Sequence, residues 1–242
     1  MDNNIFIVTT FAKDHIPIYG RQLIDNFEKF WPWTLNVFAE DFTKKDLPGN
    51  YNLYNFFAEI PEHKIFLNYV SDLIVQNQQS KKSNSYKKAL RWSFKSFVIL
   101  HCLEKFQGKT IVWIDGDVRT KHKIPSNFIH KLLDNNFIMA YRQKIFGETH
   151  IESGLVIINT NHFLNSELIQ HYKNGYVKYK VLDLKKPWDG FWLGKFLDEP
   201  KIARACSLTS PFSNVSVYLK HDSGKDKFKN TSFDKYSGRK LN

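Results

Sequence analysis

Two carboxylates, Asp115 and Asp117, follow directly on the apolar run Ile111-Val112-Trp113-Ile114. Such a run reads as a buried strand, and ligands of open α/β sheets gather where strands end. Neighbouring carboxylates in a partly desolvated place repel each other unless a cation lies between them. Their hard oxygens suit Mn2+ or Mg2+, with substrate phosphates completing the coordination shell. The same residues also fit a plain turn, because Asp-Gly is a common turn pair. Thr9 and Thr10 close a second apolar run, Ile5 to Val8, and put two hydroxyls at a sheet edge. Lys87, Arg91 and Lys95 recur at helical spacing, forming either a solvated face or an anion-facing stripe. Asp189 opens a helical segment, where it can cap the helix or do chemistry.

Strands and helices must alternate to position these groups. Ile5 to Thr10, Thr34 to Ala39, Thr110 to Ile114, Phe137 to Tyr141 and Leu155 to Asn159 read as strands. Helical spacing covers Gly20 to Phe30, Phe163 to Lys180 (interrupted at Gly175) and Trp188 to Leu197. A longer helix runs to about Phe106 with Ser85 as its N-cap, burying Leu90, Phe94, Phe97, Val98 and Cys102. Residues 41–60 and 76–85 read as loops, and Gln78 to Tyr86 reads either as a lid closing on a ligand or as a plain floppy loop. Strand, helix and strand within the first 40 residues make a βαβ unit. The alternation predicts one α/β domain with a mixed, mainly parallel sheet, over residues 1–230, and a flexible basic tail at 231–242.

The 242 residues are enough to bury a core without disulfides or a structural metal. An aromatic content of 16% excludes intrinsic disorder for most of the chain. The formal charge of +11 favours an anionic ligand or surface without choosing among nucleotide, nucleic acid and lipid headgroup. Two cysteines argue against a disulfide framework, and no stretch reads as a signal peptide or a membrane span. The expectation is a cytoplasmic protein, able to touch an anionic membrane peripherally.

The Asp115-Gly116-Asp117 segment after its strand resembles the D-x-D motif of GT-A glycosyltransferases, a family whose core is one α/β domain of about this length. His221-Asp222-Ser223-Gly224-Lys225-Asp226-Lys227 resembles the H-x-x-G-x-x-K motif of glycogenin-like retaining members, although Phe228 follows where that subfamily often has Pro. The resemblance implies that Asp115, Asp117 and His221 hold Mn2+ or Mg2+. Lys227 would then contact the diphosphate, Gly224 would let backbone approach it, and Gly116 would line the same place. Arg91 and Lys95 resemble the basic helix whose side chains touch donor phosphates. Glu152-Ser153-Gly154 is similar to an acceptor-side segment, and Trp188-Asp189-Gly190 to one that sets a carboxylate beside the anomeric centre.

The resemblance implies transfer from a nucleotide sugar, a UDP-sugar, to a glycan, lipid or protein hydroxyl. The cation and lysines would stabilise the leaving diphosphate, and Thr9 and Thr10 would bind base or ribose. Asp189 beneath C1 would give retention; Asp189 or Glu152 as general base would give inversion. The H-x-x-G-x-x-K likeness tilts the reading to retention. A haloacid-dehalogenase-like phosphohydrolase also uses D-x-D, but Arg119 breaks that longer pattern. A basic nucleic-acid binder is the non-enzymatic alternative; no recognised nucleic-acid motif supports it, and no nucleic-acid partner is expected.

Overall fold

A computed structural model of the chain describes residues 4–133, 136–143, 151–208 and 219–221. Strand β1 (Ile5–Phe11) is followed by short turns of 3-10 and π type, Lys13–His15 and Ile16–Gly20, and then by α1 (Arg21–Phe30) and β2 (Leu35–Ala39). This is the βαβ unit expected from the sequence, with β1 and β2 paired in parallel. The segment expected as a loop at 41–60 instead contains β3 (Asn52–Asn55) and one turn of helix, α2 (Phe56–Glu59). The Asn55 side chain caps α2 by accepting from the Ala58 amide at 3.0 Å.

An antiparallel helical pair follows, α3 (Glu62–Gln76) and α4 (Lys81–Lys105). Sequence spacing gave no expectation for α3, and α4 begins before the proposed Ser85 cap, so most of the candidate lid is helix. Ser80 is the N-cap, without a capping side-chain bond. From Ala89 to Leu103 helix α4 is buried nearly all round, as expected for a helix crossing a core. Then come β4 (Thr110–Ile114), β5 (Val118–Thr120), α5 (Phe128–Leu132), β6 (Met139–Gln143) and β7 (Ile151–Asn159). Helix α6 (Asn165–Tyr172) ends in a π-type turn at Lys173–Val177, and a 3-10 turn spans Lys180–Asp183. The long helix expected over 163–180 is therefore broken; a Cβ on Gly175 would overlap the Trp192 indole that packs there. The remaining elements are α7 (Asp189–Phe196), α8 (Pro200–Arg204), β8 (Cys206–Leu208) and β9 (Leu219–His221).

Seven strands form one sheet in the order β3-β2-β1-β4-β7-β6-β8, while β5 and β9 form a separate antiparallel pair. The β3-β2-β1-β4 half is parallel; β7 runs antiparallel to β4 and β6. Side chains alternate faces along the strands. Val8, Ile111, Trp113, Val156 and Ile158 join the core beneath α3, α4, α6 and α7. Ile7, Val112, Ile114 and Ile157 join the opposite core with α1 and α5. The order reverses between β1 and β4, which opens a crevice at their carboxyl ends.

Candidate functional site

Asp115 lies one residue beyond β4, at that crevice. It is two residues on from Trp113, so strand alternation turns it toward α4 rather than α1. There it meets Lys95. The ammonium lies 2.9 Å from Asp115 Oδ1 and 3.0 Å from Asp189 Oδ2, and it donates to the Ser153 carbonyl. The Trp113 indole N–H donates to the same Asp115 oxygen, and the ammonium stands 5.1 Å from the Trp113 ring centre. One side chain from α4 thus joins the end of β4, the start of α7 and strand β7.

Lys95 is only 4% exposed. Burial alone would lower its pKa, but Asp115 and Asp189 outweigh burial and hold it raised, so the lysine stays cationic. The solvated-stripe reading therefore fails at Lys95. The phosphate-facing reading is also altered, since its ammonium is engaged by two carboxylates and a carbonyl. Lys87 is exposed and Arg91 half-buried, so the three spaced cations do not share one environment.

Asp189 is the first residue of α7, while Trp188 holds the N-cap position without a side-chain bond. The capping role open to Asp189 from sequence is not the one it has; its carboxylate faces Lys95. Gly190 makes this docking feasible, because a Cβ there would stand 2.5 Å from the Ile151 carbonyl oxygen. Glu152, Ser153 and Gly154 lie inside β7 rather than before a strand, because β7 starts at Ile151 to pair with β6. The antiparallel run of β7 brings its first residues to the crevice, where the Asp115 amide donates to the Gly154 carbonyl at 2.9 Å. Glu152 turns its carboxylate back to the Gly154 amide at 3.2 Å.

Gly116 lies under Tyr19 from the turn after β1, and a Cβ on Gly116 would overlap that ring. Burial raises the Tyr19 phenol well above its usual range, and Glu40, Asp117 and Asp115 add to the effect. Asp117 is half-exposed at the mouth of a narrow crevice lined by Tyr19, Gln22 and Arg119. Strand β9 pairs the backbone of His221 with Val118, the neighbour of Asp117. The expected third ligand thus arrives beside the second on the main chain. Gly224, Lys227 and the tail at 231–242 lie outside the described residues. Among those described, no cluster of three or more His, Cys, Asp or Glu side chains able to hold a metal is found.

Thr9 is fully buried, and its hydroxyl has no hydrogen-bond partner among the described residues. Thr10 points toward β2, donating to the Phe38 carbonyl at 2.7 Å and meeting Glu40 Oε1 at 3.3 Å. Sequence reading missed Glu40, a buried carboxyl directly after β2. Burial, reinforced by Asp41, raises its pKa well above the usual carboxylate range. It also missed His15, which stacks on Tyr19 with ring centres 5.2 Å apart and is lowered to about 4 by burial. The usable signal for Glu40 was its place at the end of a strand paired with β1.

No family model and no curated protein matches the chain. Among solved structures it is similar to the bifunctional glycosyltransferase WbbM in its apo form, with TM-score 0.52 and 10% identity over 98% of this chain. The fold is that of a GT-A-like glycosyltransferase. The chain spans 44% of WbbM's length. It is also similar to a glycosyltransferase involved in glycosylation of the major capsid of PBCV-1, at 14% identity and TM-score 0.49, covering 96% of this chain and 98% of that one. Mouse xyloside xylosyltransferase 1, apo form, gives 12% identity and TM-score 0.49, covering 85% and 84%. None of these similarities favours the phosphohydrolase or the nucleic-acid reading. Among the described residues no helix is long and apolar enough to cross a membrane.

Proposed function

We propose that this chain is a metal-dependent glycosyltransferase that moves a sugar from a UDP-sugar to a hydroxyl acceptor with retention of configuration. The observation that carries the reading is the Lys95 ammonium, held 2.9 Å from Asp115 and 3.0 Å from Asp189 at the sheet's switch point. It sets a carboxylate from α7 beside the carboxylate that ends β4. That is the geometry needed if one is to serve a diphosphate and the other an anomeric carbon.

The donor set at Asp115 and Asp117 is hard oxygen, which fits Mn2+ or Mg2+. The backbone of His221 beside Val118 fits a third ligand there. A bound cation would act as a Lewis acid on the diphosphate, with no proton donor required at the leaving oxygen. The chain's own residues do the rest. Lys95 fixes Asp115 and Asp189 and offsets part of their charge. Tyr19 over Gly116 fixes the turn between Asp115 and Asp117. Thr9, fully buried within β1, carries the hydroxyl assigned to the nucleoside, which has to be uncovered for that contact. The acceptor hydroxyl approaches C1 on the face from which the diphosphate departs: as its oxygen bonds to C1, the bond from C1 to the diphosphate oxygen breaks, the electron pair leaves with the diphosphate, and the hydroxyl proton passes to that departing oxygen. Asp189 sits where a growing positive charge at C1 is stabilised.

A thermal-shift titration with UDP tests the reading, because a ligand that binds only the folded state raises apparent stability. UDP should stabilise the protein with Mn2+ and not without it. Asp117→Asn should abolish that shift while moving the midpoint of the free protein little. Equal stabilisation in the absence of metal would overturn the assigned site.

A further inference from the structure

Among the described residues five large apolar side chains are well exposed, and four of them gather in one region. Ile65, Tyr69 and Val75 stand on α3 and Val177 on the π-type turn at Lys173–Val177, each between 44% and 64% exposed. Ile65 and Tyr69 lie one turn apart on the outward face of α3, and Gln76 continues that face two turns further on. The turn is joined to this face through Tyr179, whose ring centre is 4.3 Å from that of Tyr69 and 5.9 Å from that of Phe66. The Tyr179 backbone is left-handed, with φ at 59°, the one such non-glycine residue among those described. A bulky residue keeps that conformation where its surroundings hold it. The two rings of α3 supply the hold, and Val177, Lys178 and Lys180 are left exposed around it. Segments 62–82 and 177–186 carry seven lysines against Glu62, Asp72 and Asp183, so the region is cationic. Lys64, Lys81, Lys82, Lys178 and Lys180 are exposed, and none of the five is ion-paired among the described residues.

We infer that this face of α3, together with the turn beside it, docks on the surface of a bilayer containing anionic lipid. Apolar side chains set singly among lysines suit a helix that lies in the headgroup layer. The apolar groups enter the acyl boundary while the ammoniums stay with the lipid phosphates. A tyrosine fits the same layer, because its ring is apolar and its hydroxyl end is polar. A protein partner fits less well, since the buried core of protein interfaces is depleted in lysine. The contact lies on the membrane and not through it, as no helix among the described residues is long and apolar enough to cross. Docking here is independent of the transferase reading, because no residue of the Lys95 cluster takes part.

Flotation of the full chain with lipid vesicles tests this surface. The probes are vesicles of phosphatidylcholine alone, and vesicles of two parts phosphatidylcholine to one part phosphatidylglycerol. The protein should partition at least about tenfold more strongly to the anionic vesicles, and high salt should remove most of the difference. Lys178→Glu with Lys180→Glu should weaken that partitioning by about tenfold or more. Ile65→Gln with Val177→Gln should weaken it several-fold while leaving its salt dependence in place. All four side chains are exposed, so both variants should melt at the wild-type temperature. Equal partitioning to the two kinds of vesicle overturns the inference. So does a preference that survives both double substitutions, because the contact would then lie on another basic surface. A dimer in sedimentation equilibrium, broken by Ile65→Gln with Val177→Gln in a protein that ignores vesicles, would assign the face to a second copy of the chain instead.

Discussion

An ammonium buried as deeply as that of Lys95 stays charged only while carboxylates surround it. The dependence runs both ways, because Asp115 and Asp189 are themselves poorly exposed and would repel each other without it. Removing one member of a buried ionic cluster typically costs about 3–5 kcal/mol, since the charges left behind are uncompensated. Lys95→Met should therefore lower unfolding free energy by about that amount in urea. A loss below about 1 kcal/mol would mean that the carboxylates escape to solvent. Thr9 is the opposite case. A buried hydroxyl without a partner costs about 1–3 kcal/mol. Thr9→Val should raise the melting temperature of the free protein and reduce the shift produced by UDP with Mn2+. A variant that melts lower with an unchanged UDP shift would assign the hydroxyl a purely structural bond.

Between elements, the decisive contacts are those that admit no Cβ. Helix α7 reaches Lys95 because Gly190 lets its first turn rest on the β7 backbone. Overpacking of this kind costs about 1–3 kcal/mol. Gly190→Ala should destabilise the protein by that order and, on the proposed role of Asp189 beside the anomeric carbon, lower kcat. A variant with lowered stability but unchanged turnover would show that Asp189 tolerates the displacement. Two histidines belong to the same scale, because they lie between packed elements. His63 sits among Phe56, Phe94 and Phe97, with its Nε2 2.8 Å from Ser93 Oγ. His171 stacks on Trp192, with its Nε2 2.7 Å from the Trp192 carbonyl oxygen.

Across the whole molecule these buried groups make stability depend on pH. Burial lowers His15 and His171 to about 4 and His63 to about 3, all from 6.5. The unfolded chain takes up these protons first, so stability should fall as pH drops from about 6.5 toward 4. Glu40 acts in the opposite sense. Its raised pKa means that its stabilising contribution is present below 4.5 and lost as pH rises toward the folded value. Urea titrations between pH 7 and pH 4.5 should therefore show falling stability, and Glu40→Gln should be more stable at pH 7 with a steeper fall. A flat profile would mean that the imidazoles find compensation on protonation.

Much of the layout was legible because one rule suffices for it. The apolar runs ending at Thr9 and Ile114 can be satisfied only by burial on both faces, which makes them central parallel strands and puts Thr9, Asp115 and Asp117 at one edge. Strand alternation even dictates that Trp113 and Asp115 share a face. Helices α2 and α3 escaped because Asn, Pro and Glu punctuate residues 50–62, and α3 mixes exposed Ile65, Tyr69 and Val75 with its buried face. The partners of Asp115 were not legible. Lys95 and Lys87 look alike in sequence, and only the packing of α4 against β4, β7 and α7 desolvates one and exposes the other. The antiparallel course of β7 likewise decides that Gly154 faces Asp115. The sequence determined which chemistry stands at the strand ends; tertiary packing decided which charges are removed from water there, because desolvation depends on neighbours far apart along the chain.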